Sequence, residues 1–266
     1  MRVGLYRAGP ARSDPDEIEA RASREKAFYN DKGVTSYHVV RRWIWRALGE
    51  FRRNAEIKSF YDPAGKVVLD YGCGPGYLTT YLIANGAVSV TGIDVSEGEI
   101  EQARAKAEHE GLAPVTRFLV ADAHATEFPD DSFDLIVGDS ILHHLDMRVA
   151  LAEIRRILRP GGRAVFMEPM WHNPILRIGR ALTPTARTPD EHPLTTRDWE
   201  LCAQLFGDFE HHEREFLTIP LMPLNLVLPR RAQRALARLV GAIDDRVLER
   251  FPSLRKHSRI TFLVLQ

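Results

Sequence analysis

Asp70, Asp94 and Asp122 each follow a short apolar run, and the first leads at once into Gly72-Cys73-Gly74-Pro75-Gly76. Glycine belongs where a chain must turn sharply or where a ligand lies against bare backbone. A carboxylate beside such a loop suits a ligand that carries a cation. The spacing narrows the ligand further. In a dinucleotide fingerprint the third glycine stands three residues after the second. Here Gly76 comes one residue early and Tyr77 fills the expected place. Pro75 has no N–H to offer an oxyanion, and no Lys-Ser/Thr pair follows the loop. The loop therefore suits a ligand without a pyrophosphate. Asp70 can pair with a cationic amine, and the glycine N–H groups can face a carboxylate. Asp94, at the end of the next strand, can accept both hydroxyls of a ribose, and Asp122 can reach an adenine amino group. An amino acid joined to an adenosine meets all of these requirements.

Proton-transfer chemistry gathers further on. His143 and His144 follow one apolar run and Glu168 closes another. A histidine titrates near neutral pH and can take a proton from an acceptor; Glu168 can orient it or act itself. Adjacent histidines on a helix cannot both face one pocket, so one of the pair is expected to pack or cap. His172 and His192, in a proline-rich stretch, and Tyr29 and Tyr37, near the N-terminus, are candidates for binding a substrate. Each also fits a plain packing role with its polar tip satisfied. The Asp190-Glu191 pair reads as a turn or a partner of Arg187 rather than an acid–base dyad.

These residues need strands and helices to hold them. Val67–Asp70, Val88–Ile93, Thr116–Val120 and Asp134–Val137 read as buried strands, as do Arg163–Met167, Phe209–Leu217 and Ile260–Leu265. Leu78, Tyr81 and Leu82 share a helical face after the glycine loop. Ser96 and Glu99 form a capping box for a helix that Gly111 stops. Asp146 caps a helix whose Ala150, Ile154, Ile157 and Leu158 face inward, and Pro160-Gly161-Gly162 is a turn. A helix runs from Thr196 to Gly207, and another from Pro229 to Phe251 with Leu236, Leu239, Val240, Ile243 and Val247 on one side. Residues 1–13 look frayed. Asp14-Pro15 opens a charged helix to Asn30, and a second runs from Ser36 to Arg53. Strand, glycine-rich turn and helix make the binding corner of a doubly wound sheet, and ligands of such sheets bind beyond the carboxyl ends of the strands.

The chain resembles the class I S-adenosylmethionine-dependent methyltransferases. The match includes Asp-x-Gly-Cys-Gly-Pro-Gly from Asp70, the acid at Asp94 and Ala121-Asp122-Ala123. It continues through Phe128-Pro129-Asp130-Asp131-Ser132-Phe133-Asp134 to Leu158-Arg159-Pro160-Gly161-Gly162, and covers about residues 65–170 in the right order. The stretch from Glu168-Pro169 through Asn173-Pro174 to Asp190-Glu191-His192-Pro193-Leu194 is similar to an insertion in a subgroup of microbial small-molecule methyltransferases. The resemblance implies an α/β fold: a Rossmann-like, doubly wound, seven-stranded sheet with the last strand antiparallel. It implies a helical lid over residues 1–60 and a methyltransferase domain over 61–266, with insertions at about 170–195 and 218–257 above the active-site edge. It implies S-adenosyl-L-methionine as cofactor and S-adenosyl-L-homocysteine as product. Carried over position by position, the cofactor set is Asp70, Gly72, Cys73, Gly74, Gly76, Asp94, Val95, Asp122, Ala123 and Gly138. The expected activity is methyl transfer to oxygen, nitrogen or carbon of a small organic acceptor, plausibly in secondary metabolism. A non-methylating enzyme that uses the bound sulfonium to aid a rearrangement or cyclisation stays open.

Composition limits the other classes. Lysine and arginine number 36 against 36 aspartates and glutamates. A nucleic-acid binder carries a basic excess, and an amino-group methyltransferase of bases would show [N/D]-P-P-[Y/F] where Gly138-Asp139-Ser140-Ile141 stands. Cys73 and Cys202 form neither a disulfide framework nor a metal motif, which suits a reducing cytoplasm. No stretch reads as a signal peptide or membrane span. The charged N-terminal helix leaves pairing of two copies as a homodimer open.

Overall fold

A computed structural model describes residues 14–31, 54–182 and 187–266. The expected helix over 36–53, and Tyr37 within it, lie outside the described residues, as do the N-terminal 13 residues. The strands are β1 (Val67–Tyr71), β2 (Ser89–Asp94), β3 (Thr116–Val120), β4 (Phe133–Asp139), β5 (Leu158–Pro169), β6 (Phe209–Arg214) and β7 (Ile260–Leu265). They form one seven-stranded sheet in the order β3-β2-β1-β4-β5-β7-β6. The first five are parallel, and β7 runs antiparallel to both β5 and β6.

The helices are α1 (Pro15–Asp31), α2 (Tyr77–Ala84), α3 (Glu97–His109), α4 (Met147–Ile157), α5 (Pro174–Leu182), α6 (Thr196–Leu205) and α7 (Arg230–Arg250). Successive strand residues point to opposite faces, so each central strand feeds two cores. Leu69 and Ile136 join Leu151 and Ile154 of α4 and Cys202 of α6 on one face. Val68, Leu135 and Val137 join Leu82 of α2 and Ile57 on the other. Burial on both faces explains why β1 and β4 read as unbroken apolar runs.

Several expectations are corrected. Only half of the Ser96 capping box forms: its hydroxyl accepts from Glu99 N at 3.3 Å, but Ser96 N donates to Asp94 Oδ1 at 2.9 Å instead of to Glu99. Strand β5 begins at Leu158, which pairs with Phe133, and the Pro160-Gly161-Gly162 turn is a register shift within that pairing. The 170–195 insertion contains α5, whose start Asn173 caps by accepting from Ile175 N and Leu176 N at 3.1 Å each. In α7 the buried face is Val240, Asp244 and Leu248, while Leu239 and Ile243 are exposed. Asp244 turns inward because it accepts two backbone N–H groups, from Phe216 and Leu217.

Helix α1 crosses the carboxyl edge of the sheet. Asn30 Oδ1 accepts from the Ser96 hydroxyl at 2.9 Å and Lys26 pairs with Glu97 at 2.7 Å. At the other end, Arg24 holds both oxygens of Asp190 at 2.6 and 2.9 Å. Arg24 and Lys26 of this charged helix are thus paired within the chain. Among the described residues, no helix is long and apolar enough to cross a membrane.

Candidate functional site

A cavity of about 480 Å³ lies between α1, the insertion and the carboxyl ends of the parallel strands. Its lining includes Asp70, Gly72, Cys73, Gly74, Asp94, Val95, Asp122 and Ala123 from the cofactor set, together with Tyr29, His143 and His144. Gly76 and Gly138 are not in the lining; a Cβ on Gly138 would stand 2.6 Å from Phe166, so this glycine serves packing.

The glycine loop works differently from its sequence reading. Gly72 N and Cys73 N both donate to Ile93 O, Gly74 N donates to Asp94 Oδ2 at 3.0 Å, and Gly76 N donates to Cys73 O. These N–H groups are therefore not presented to a ligand carboxylate; they shape the turn. What the loop offers is space. Gly74, at φ 49°, has only Glu99 Oε2 within 4 Å of an added Cβ, at 3.9 Å. Gly72 is the opposite case: φ is 74° and a Cβ would lie 2.6 Å from Ile141 Cγ1.

The acids around the loop are tuned by burial. Burial pushes the Asp70 carboxyl up to about 7, opposed by the Thr79 hydroxyl that donates to it at 2.6 Å and reinforced by Asp139 and Asp94. Asp94 accepts one backbone N–H on each oxygen, from Gly74 and Ser96. Each oxygen keeps a second lone pair, enough for a pair of hydroxyls. Burial raises its pKa, with those two N–H bonds opposing. Asp122 is partly engaged by His124, whose backbone N and Nδ1 lie 2.9 and 2.7 Å from its Oδ1. His124 Nε2 must accept from Asp146 N at 2.9 Å, so the ring proton sits on Nδ1 and points at Asp122. These bonds outweigh burial and hold the Asp122 carboxyl below its ordinary value.

At the other end both histidines line the cavity, contrary to the expectation that one would turn away. Residues 142–144 are a 3-10 turn rather than an α-helix, and the two rings lie 4.2 Å apart between centroids. Glu168, fully buried, does not reach the cavity. Its Oε1 accepts from Ile141 N at 2.9 Å and Leu142 N at 2.8 Å, and its Oε2 from His143 N at 3.3 Å. Burial pushes its carboxyl up to about 7, against those backbone donors. His143 Nδ1 stands 2.6 Å from Oε2. With three N–H groups already aimed at the carboxylate, Nδ1 is the donor and Nε2 carries the lone pair. Burial, with His144 beside it, drives the His143 pKa well below its ordinary value. His144 has the opposite shift: burial lowers it, but Glu25, 3.2 Å from Nδ1, raises it further. Its Nε2 is 3.4 Å from the Tyr29 hydroxyl.

The insertion completes this end. Glu191 Oε1 lies 2.7 Å from Arg180 Nη2 and 3.9 Å from His143 Nε2. His192 is not in the lining, but its N–H donates to His143 O at 2.7 Å and its Nε2 meets Arg21 Nη2 at 3.2 Å. His172 is remote from the cavity; its carbonyl accepts from His257 Nδ1 at 2.8 Å. His143, His144 and Glu191 have ligand atoms within 4.8 Å of one another, close enough for a metal ion. Arg180 already occupies Glu191, and a dication would face that guanidinium, so the trio reads as proton and anion chemistry.

Residues 69–166 match the family described as a methyltransferase domain. Residues 69–166 therefore carry a methyltransferase domain. It is 38% identical over 125 residues to the O-methyltransferase cnsE of Penicillium expansum, covering 46% of this chain and 45% of that protein. It is 38% identical over 101 residues to the 27-O-demethylrifamycin SV methyltransferase of Amycolatopsis mediterranei, covering 38% of this chain and 37% of that one. The chain spans less than half the length of the first curated relatives it matches, 36–45%. The structure of geranyl diphosphate C-methyltransferase from Streptomyces coelicolor superposes with a TM-score of 0.57 at 15% identity, over 80% of this chain and 78% of that one. This likeness carries the fold.

Outside the matched segment, sequence reasoning missed Glu25, Arg21, Arg180 and the cavity-facing role of Glu191. Arg180 lies in a helix that was not expected. Glu25 and Arg21 sit on α1, and only its crossing of the sheet edge brings them to His144 and His192, more than a hundred residues away. Acidic residues on a charged helix carry no local signal of such a contact.

Proposed function

We propose that this chain binds S-adenosyl-L-methionine and transfers its methyl group to a small organic acceptor, with His143 as general base. The observation that carries the reading is one cavity that joins Asp70 and Asp94 to a glutamate-braced imidazole. The residues fit the cofactor: open space over Gly74, spare lone pairs on Asp94 for the ribose, and a buried Asp70 that a cationic amine would return to its ionised form. The relatives named O-methyltransferase cnsE and 27-O-demethylrifamycin SV methyltransferase support a small organic acceptor from secondary metabolism.

When bound, the sulfonium supplies an activated methyl group, whose C–S bond breaks as the acceptor bonds to the methyl carbon, leaving S-adenosyl-L-homocysteine. The chain's part is to hold the acceptor in line and near the methyl and to take its proton. Glu168 fixes the ring of His143 with Nε2 bare and turned toward Glu191. A neutral imidazole at pH 7 accepts the acceptor's proton there. His144, charged against Glu25, forms the adjoining wall with Tyr29. Helix α1 acts as a lid over both halves, and residues 61–266 with their two insertions form the catalytic body. The partner is a small molecule rather than nucleic acid or membrane, and the setting is cytoplasmic.

Calorimetry with S-adenosyl-L-methionine tests the cofactor site. Asp94→Ala is expected to weaken binding by about 1.5–3 kcal/mol, the scale of hydrogen bonds to a charged group. Unchanged affinity in a folded variant would remove the ribose role.

A further inference from the structure

The acceptor end of the cavity gathers positive charge. Arg21, Arg180 and Arg187 all line it. Arg180 and Arg187 share one carboxylate, Glu191, at 2.7 and 4.0 Å. The other acids at this end have cations or donors of their own. Asp190 is held through both oxygens by Arg24, and Glu25 by the Thr188 hydroxyl and His144. Among the described residues, Arg21 Nη2 meets only the imidazole of His192, and its Nη1 is buried without a hydrogen-bond partner. Burial and the neighbouring Arg180 hold Arg187 below its ordinary value, the direction expected where cations crowd. A buried guanidinium nitrogen short of an acceptor is unfavourable, and the planar fork it belongs to matches the oxygens of a carboxylate or phosphate.

We infer that the acceptor substrate carries an anionic group, a carboxylate or a phosphate, seated among Arg21, Arg180 and Arg187. Seated there, the anion anchors the acceptor while another part of the molecule meets His143 Nε2, which lies 3.9 Å from Glu191 on the same wall. Naming the ligand a substrate rests on the methyltransferase reading; the anion site does not depend on it.

Titration calorimetry of the full chain with inorganic phosphate and with acetate, each with and without saturating S-adenosyl-L-homocysteine, tests the site. The wild type is expected to bind at least one probe with S-adenosyl-L-homocysteine in place, and the tighter probe identifies the class. Arg21→Gln and Arg187→Gln are each expected to weaken that probe by about tenfold or more, as the loss of a charged hydrogen bond does. Arg21→Lys should retain part of it, and all three variants should keep S-adenosyl-L-homocysteine affinity within about threefold. Two results would overturn the site: no binding of either probe to the wild type, or unchanged probe binding in Arg21→Gln with a tenfold loss for S-adenosyl-L-homocysteine. The latter would make Arg21 a ligand of the cofactor's own carboxylate. If the wild type fails to bind S-adenosyl-L-homocysteine at all, the methyltransferase reading fails alone, and titration in its absence decides the anion site by the same criteria.

Discussion

His143 differs from His144 in what holds it. Glu168 accepts a hydrogen bond from His143 Nδ1–H and so leaves Nε2 bare, whereas His144 is braced from both sides by Glu25 and Tyr29. His143→Ala is therefore expected to slow methyl transfer by about 10²–10⁴-fold with cofactor affinity unchanged, measured by single turnover and calorimetry. His144→Ala should cost less. A base works only when deprotonated, and the pKa of His143 is depressed. The rate at saturating substrate should thus stay level through neutral pH and fall only below the ordinary histidine value of about 6.5. An acid limb centred above that value would point to His144 instead, whose pKa is raised by Glu25. Glu168→Gln presents an amide in place of the carboxylate, so its turnover should fall roughly 10²-fold while the variant stays folded. That Glu168 could orient one of the two histidines was legible in the sequence, because the histidines follow one strand and Glu168 lies near the end of its neighbour. The choice between the histidines was not, since it depends on a glutamate delivered by α1.

At the level of elements, the glycine loop is a turn before it is a ligand site. Its N–H groups bond to Ile93 and Asp94, and Gly72 packs against Ile141. Gly72→Ala combines a left-handed backbone with a 2.6 Å contact. It should destabilise the fold by about 1–3 kcal/mol from the backbone alone, visible as a lowered thermal midpoint. Strands β1, β4 and β7 were legible because burial on both faces writes continuous apolar runs. In helix α7 the apolar stripe groups Leu239 and Ile243 with Val240, but a polar side chain, Asp244, defines the buried face by capping Phe216 and Leu217. Periodicity does not register a buried acid.

Across the whole molecule, α1 ties the ribose side of the cavity to the insertion through Asn30 and Lys26 at one end and Arg24 at the other. Deleting residues 1–35 should leave a soluble sheet that still binds S-adenosyl-L-homocysteine, more weakly, with little turnover; normal activity would make the lid dispensable. The seven-stranded sheet and antiparallel β7 followed from the family resemblance, whereas the cavity takes shape only when α1 and the insertion meet. The measurement that bears most directly on the account follows the methyl group itself. The full chain is incubated with methyl-labelled S-adenosyl-L-methionine and a small-molecule extract, and the products are read by mass spectrometry. Methyl transfer predicts a labelled metabolite formed one-for-one with S-adenosyl-L-homocysteine, and sharply less of both with His143→Ala. Intact S-adenosyl-L-methionine beside a rearranged, unlabelled product would contradict it.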